Sequence, residues 1–241
     1  MASCGATPML QAALFDFNGV LVDDEQLHLD GFNAALRPAG VTISPAEYND
    51  RYLGFDDRGA FVAMLRDHGL EHGPERLAAL IAAKSVVYAE LAARSLKVFE
   101  GAAALLRATG ARVPVAIVSG ALRGEIDVAL RLMGAEGVAR VIVAAEDVAA
   151  CKPDPEGYLR GLELLGASAG ALDPARCVAL EDSVAGVESA RAAGLCVVAV
   201  AHTYDPATLR AAGAHAVAAH VRELTVDALD AAVRAADLHR R

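Results

Sequence analysis

The sequence predicts a doubly wound parallel α/β sheet carrying one inserted, small α-helical domain. Two observations carry this reading. Short apolar runs recur along the chain with longer helical patterns between them, and that rhythm is interrupted once, by about 70 residues of purely helical character. The runs lie at 13–17 (ALFDF), 114–119 (PVAIVS), 141–145 (VIVAA), 177–181 (CVALE) and 195–200 (LCVVAV), with a weaker one at 216–218. They are continuous rather than alternating, as strands covered on both faces must be. Helical patterns fill 101–110, 123–134, 155–166 and 183–194, and Gly110, Gly134, Gly166 and Gly194 stand where a left-handed residue would end each one. Strand, helix, strand at this spacing implies a parallel sheet.

After the first run come helices at 25–37, 58–69 and 74–94. The last puts Leu77, Leu80, Ile81, Val87, Tyr88 and Leu91 near one face, with Pro74 in its first turn. This is too much chain for an ordinary crossover. We expect a core domain formed by 1–23 and 97–241 and a helical cap domain at 24–96, reached and left by two linkers and placed to act as a lid.

Composition narrows the function. The chain has 241 residues, 55% hydrophobic and 22% charged, which excludes a disordered protein. Its net charge is −9, and its 22 basic residues form no runs, so no nucleic-acid partner is expected. Apolar stretches end near about eight residues where a membrane span needs about 20, so no membrane partner is expected either. No Lys or Arg precedes Arg37, unlike a secretory leader. Cys4, Cys151, Cys177 and Cys196 form no C-x-x-C pair, and two of them sit inside apolar runs. A cytoplasmic location and a monomer follow as expectations.

Ligands of such sheets bind beyond the carboxyl ends of the strands. Reading only those ends gives Asp16-Phe17-Asn18-Gly19, then Ser119-Gly120, then Lys152-Pro153, then Glu181-Asp182-Ser183. Two or three carboxylates with a main-chain carbonyl suit Mg²⁺, a hard cation that shares oxygen ligands with phosphate. Lys152, Ser119 and the amides from Gly120 onward suit phosphoryl oxygens. A remaining carboxylate is a candidate nucleophile. Taken singly, Asp16 reads equally as a turn residue, Ser119 and Ser183 as N-caps, and Glu181 and Asp182 as helix-start acids. Together in strand order they read as a site.

The segment 14–23 (LFDFNGVLVD) resembles motif I of the haloacid dehalogenase (HAD) superfamily. Val118-Ser119-Gly120 resembles its motif II, Cys151-Lys152-Pro153 its motif III, and Leu180-Glu181-Asp182-Ser183 with Ala185-Gly186 its motif IV. The helical insertion is similar to the cap of the β-phosphoglucomutase-like subfamily. The resemblance implies a Rossmann-like core in which Asp16 is nucleophile and Mg²⁺ ligand. By the same resemblance residue 18 gives the metal a main-chain oxygen, Asp182 a carboxylate and Glu181 support, while Ser119 and Lys152 hold the phosphoryl group near Gly120 and Ala121.

One departure stands out. The family's phosphatases and mutases carry Asp where this chain has Asn18, the group that protonates the leaving oxygen and then deprotonates the attacking water. An amide orients by hydrogen bonding but moves no proton near neutral pH. A native specialised residue, an introduced one, and an Asn-Gly pair open to deamidation are the three readings the sequence leaves. In the insertion, His28, Arg58 and Lys84 are the candidate substrate contacts, each weighed against an ordinary surface or solvated side chain; the chain has only three lysines. Asp23, Asp24 and Glu25 read as acids favouring the first helix start. His68, His72, His202, His215, His220 and His239 show no metal spacing and read as surface.

The expected function is therefore a Mg²⁺-dependent phosphatase of a small phosphorylated metabolite such as a sugar phosphate, slowed by Asn18. The alternatives are a β-phosphoglucomutase-like phosphotransferase, and a binder of phosphorylated ligands that has lost turnover. Glu181-Asp182 argues against a metal-free dehalogenase, and the lack of any lysine between Asp16 and Lys84 argues against a phosphonatase with an early-cap Schiff base.

Overall fold

The computed structural model describes residues 9–238, so Cys4 and His239 lie outside the described residues. Six strands form one parallel sheet: β1 (Ala12–Phe15), β4 (Val115–Val118), β5 (Val141–Val143), β6 (Cys177–Glu181), β7 (Cys196–Val200) and β8 (Ala216–Ala218). Their order is β5-β4-β1-β6-β7-β8. The chain therefore winds one way from β1 to β4 and β5, and the other way from β6 to β8. The reversal opens a crevice at the carboxyl ends of β1, β4 and β6.

The strands are central, and their side chains alternate between two cores. Phe15, Ile117, Leu180 and Val198 face one side, packed by α5 (Ala102–Gly110), α6 (Arg123–Leu132) and α10 (Val226–Leu238). Leu14, Val118, Ala179 and Val197 face the other, packed by α7 (Glu156–Ala169), α8 (Val184–Ala192) and α9 (Pro206–Ala211). Both faces being covered is what makes the runs continuous in sequence.

The insertion holds α1 (Glu25–Leu36), α2 (Pro45–Arg51), α3 (Asp57–Asp67) and α4 (Pro74–Ser95). It has an apolar core of its own, with Phe32, Ile43, Tyr52, Phe61 and Met64 at its centre. Its two ends are paired with each other: β2 (Val22–Asp23) and β3 (Lys97–Val98) form an antiparallel ribbon, Val22 opposite Val98 and Asp23 opposite Lys97. The linkers foreseen at these positions are thus joined to each other.

Several local expectations are corrected. Gly134 and Gly194 do adopt positive φ after their helices, at 58° and 84°. Gly110 does not: it is the last helical residue, and a Cβ there would lie 2.6 Å from Val138 Cγ1, so packing explains it. Gly166 does not either, because α7 runs on to Ala169 before Gly170 turns it off. Three helices escaped the periodicity reading because they are short or terminal. Two of them carry N-cap signals: Ser44-Pro45-Ala46-Glu47 before α2, where Ser44 Oγ accepts from the Glu47 amide at 3.1 Å, and Asp205-Pro206 before α9. No helix among the described residues is long and apolar enough to cross a membrane.

Candidate active site

Asp16 is the first residue past β1, and its amide still donates to the Leu180 carbonyl of β6 at 2.9 Å. Sheet pairing therefore fixes the carboxylate at the crevice. Lys152 reaches in from the loop after β5, with Nζ 2.8 Å from Asp16 Oδ1 and 2.7 Å from Glu181 Oε1. The Tyr158 hydroxyl of α7 donates to the same Glu181 oxygen. Glu181 Oε2 accepts from the Asp182 amide at 3.3 Å. The Thr203 hydroxyl, beyond β7, donates to Asp182 Oδ2. One oxygen each of Asp16, Glu181 and Asp182 falls within a 4.8 Å group.

Two glycines make this crowding possible. A Cβ on Gly19, at φ 72°, would lie 1.9 Å from Asp182 Oδ2, and one on Gly186 would lie 1.9 Å from Glu181 Oε2. Only hydrogen fits at either position.

Three buried carboxylates, with Lys152 the one cation in contact with them among the described residues, leave a local deficit of positive charge. Burial pushes Asp16 up to about 7, against the pull of Lys152 and with a further push from Glu181. Asp182 is raised well above the ordinary carboxylate range by burial, then by Asp16 and Glu181. Burial opposes the charge on Lys152, but Asp16 and Glu181 outweigh it and raise its pKa. An all-oxygen donor set short of positive charge fits a hard divalent cation. Glu181 is wholly buried and already bonded at both oxygens, so its fit is to hold Lys152 and the Asp182 main chain in place.

Asn18 is fixed by its surroundings. Its Oδ1 accepts from Ser119 Oγ at 3.1 Å, and its Nδ2 donates to both Asp24 oxygens at 3.0 and 2.9 Å. Ser119 Oγ also accepts from the Ala121 amide at 3.1 Å, which occupies that amide. Asp24 is buried and accepts from the Tyr88 hydroxyl of α4. His28 Nε2 lies 3.2 Å from Asp24 Oδ2. Burial works against the charge on Asp24, but His28 beside it holds the carboxyl below its usual range. Burial likewise opposes charge on His28, and the Asp24 charge overcomes it, placing the imidazole at about 9.

Behind His28 stands Lys84, fully buried. Its Nζ is 2.8 Å from His28 Nδ1 and 2.9 Å from both Asp57 Oδ1 and Glu125 Oε1. Glu125 sits on α6, so this ammonium ties the inserted helices to the sheet half of the molecule.

A cavity opens over these groups between the sheet edge and the insertion. Asp16, Asn18, Ser119, Gly120, Ala121, Lys152, Asp182 and His28 all line it. Glu181 and Lys84 lie behind its wall, and Arg58 is exposed and outside its lining. Lys84, offered as a substrate contact with a solvated helix charge as the alternative, is neither solvated nor in the cavity lining. It falls seven residues after Leu77 and four before Tyr88, on the apolar stripe itself, and that position was the available signal. The reading of Asp24 as a helix-start acid is corrected too: it occupies the N-cap position but its side chain caps nothing. His202 is not a surface group; its Nδ1 lies 2.7 Å from the Gly19 carbonyl and its ring stacks on Phe99 at 3.9 Å. Thr203 was missed because the residues beyond β7 were not read as a strand end. Tyr158 was missed because nothing local in α7 marks it.

A family model described as haloacid dehalogenase-like hydrolase matches residues 10–194. Protein CbbY of Rhodobacter capsulatus is 34% identical over 202 residues, covering 81% of this chain and 87% of that protein. Validoxylamine A 7′-phosphate phosphatase of Streptomyces hygroscopicus subsp. limoneus is 32% identical over 206 residues, covering 83% of this chain and 90% of that protein. The crystal structure of CbbY from Rhodobacter sphaeroides in complex with phosphate superposes with a TM-score of 0.81 at 27% identity, covering 92% of this chain and 99% of that one.

Proposed function

The chain belongs to the haloacid dehalogenase-like hydrolases, and on that premise we propose that it is a Mg²⁺-dependent phosphatase of a small, sugar-like phosphate monoester. The observation that carries this reading is the buried trio Asp16, Glu181 and Asp182 with Lys152 between two of its members. Asp16, Asp182 and the main-chain oxygen of residue 18 would hold Mg²⁺, which when bound neutralises phosphoryl oxygens. The proposed chemistry has two halves. Asp16 attacks phosphorus as the bond to the leaving oxygen breaks, giving an aspartyl phosphate; water then attacks that phosphorus, freeing Asp16 and phosphate. Lys152 and Ser119 orient the phosphoryl oxygens throughout. Glu181 and Tyr158 orient Lys152.

Protons are where this chain differs. The leaving oxygen needs one and the attacking water must lose one, and an amide at position 18 supplies neither service. Asn18 thus favours slow turnover on unactivated esters. It is also the one observation that favours the second reading, a phospholigand binder. A steady-state assay of phosphate release from a panel of phosphate esters, with Mg²⁺ and with a chelator, separates the two. Release that needs Mg²⁺ and disappears in Asp16→Asn is the expected result; no release from any ester with Mg²⁺ overturns the phosphatase reading.

A further inference from the structure

We propose that the organic part of the substrate presents hydrogen-bond donors, hydroxyl or ammonium, and carries no second anionic group. This rests on the phosphatase reading and specifies its substrate class. Among the described residues, the only Lys, Arg or His side chains lining the cavity are Lys152 and His28. Lys152 is taken by Asp16 and Glu181 and belongs to the phosphoryl end. His28 is flanked by Asp24 at one nitrogen and Lys84 at the other. Lys84 is enclosed by His28, Asp57 and Glu125, and Arg58 is exposed and not among the residues lining the cavity. The three side chains that the sequence offered for a distal group therefore leave no cation for a second phosphate or a carboxylate.

The same wall holds acids. Glu25 from the start of α1, and Asp56 and Asp57 at the start of α3, all line the cavity. Glu25 accepts from the Tyr48 hydroxyl at 2.8 Å and Asp56 accepts from the Gly59 amide at 2.9 Å. Asp57 differs. Its Oδ1 meets Lys84, while its Oδ2 is buried with no hydrogen-bond partner. Substrate hydroxyl or ammonium groups would be favoured along a wall that carries these three carboxylates. An anionic substituent would instead meet like charge in a poorly solvated space, which is how sites reject wrong partners. Phe32, Tyr48, Phe55 and Tyr204 supply the remaining, apolar surface against which the carbon skeleton of a polyol can lie.

The test uses three six-carbon 6-phosphates: glucose 6-phosphate, glucosamine 6-phosphate with an ammonium at C2, and open-chain 6-phosphogluconate with a carboxylate at C1. Acetyl phosphate, which has no distal group, is the control. With Mg²⁺ at neutral pH, kcat/KM for the ammonium and neutral esters should exceed that for the carboxylate by about tenfold or more. The double variant Glu25→Gln/Asp57→Asn should narrow that ratio several-fold. Glu25→Gln alone, which leaves the Lys84 network untouched, should shift it in the same direction. Equal or better use of 6-phosphogluconate, or a ratio unmoved by both variants, overturns the inference while release from acetyl phosphate leaves the phosphatase reading standing. No release from any of the four phosphates would remove that reading, and this inference with it.

Discussion

At position 18, what matters is the neighbour as much as the missing acid. The Asn18 side-chain nitrogen donates to Asp24 and lies 3.1 Å from His28 Nε2, and its oxygen accepts from Ser119. Replacing it with Asp would set two carboxylates at hydrogen-bond distance, each disfavouring the charge of the other. Asn18→Asp alone should therefore raise kcat only modestly. The exchange Asn18→Asp/Asp24→Asn keeps the 18–24 contact with donor and acceptor reversed, removes the Asp24 charge beside His28, and should raise kcat by about 10²–10⁴ if a proton carrier is what is lacking. Stopped assays of phosphate release decide it; a full gain from the single substitution would mean that Asp24 exerts no such constraint. The deficit at residue 18 was legible because motif spacing singles out that position. Its pairing with Asp24 was not, because the turn through Gly19 folds residue 24 back onto 18, and no local pattern announces that contact.

Among the elements, α4 carries the clearest wager. Its apolar stripe buries Leu77, Lys84, Tyr88 and Ala92, so a cation sits where periodicity asks for a hydrophobe. Lys84→Met fits the stripe but strands Asp57 and Glu125, and breaking a buried ionic network in this way costs about 3–5 kcal/mol. Urea unfolding should show that loss, and Lys84→Met/Glu125→Gln should recover part of it. A single variant as stable as the parent would show that Lys84 bears little of the packing between α4 and α6. At the other end of the chain, Asp230 of α10 accepts from the Met9 and Leu10 amides at 2.7 and 2.8 Å, fastening the approach to β1. Burial alone would raise its carboxyl, but those amides and Arg234 hold it below the usual range. Its stabilisation is present above the unfolded value near 3.8 and is lost as pH falls through the depressed folded value. Asp230→Asn should thus lower stability at neutral pH and flatten the acid limb; an unchanged pH profile of urea unfolding would contradict this. Strands were legible as continuous apolar runs and most long helices by their hydrophobic period, whereas α2 and α9 had only their N-caps to mark them and α10 was not read.

For the whole molecule, the sheet order sets the site and the insertion covers it. The order β5-β4-β1-β6 creates one crevice, and all four motifs fall at it because each follows a strand that borders it or its neighbour. The strand ends are legible from the runs, but the order that brings them together is not. The ribbon of β2 and β3 could not be seen, since two-residue strands leave no period. We expect the insertion to act as a cap, opening about this ribbon to admit substrate. Solution scattering with Mg²⁺, with and without a phosphate mimic, should show contraction on binding; identical profiles with an open site would count against a gate. The central claim is that phosphate passes through Asp16, and intact-mass spectrometry after rapid mixing with acetyl phosphate and Mg²⁺ tests it most directly. An activated donor needs no acid at position 18 for the first half, while the second half lacks its base, so the phosphoenzyme should accumulate. One phosphoryl group should be gained, located after digestion on the peptide holding Asp16, absent with a chelator and absent in Asp16→Asn. Phosphate release with no phosphoryl group on Asp16 at any time, or with the group on another residue, would contradict it.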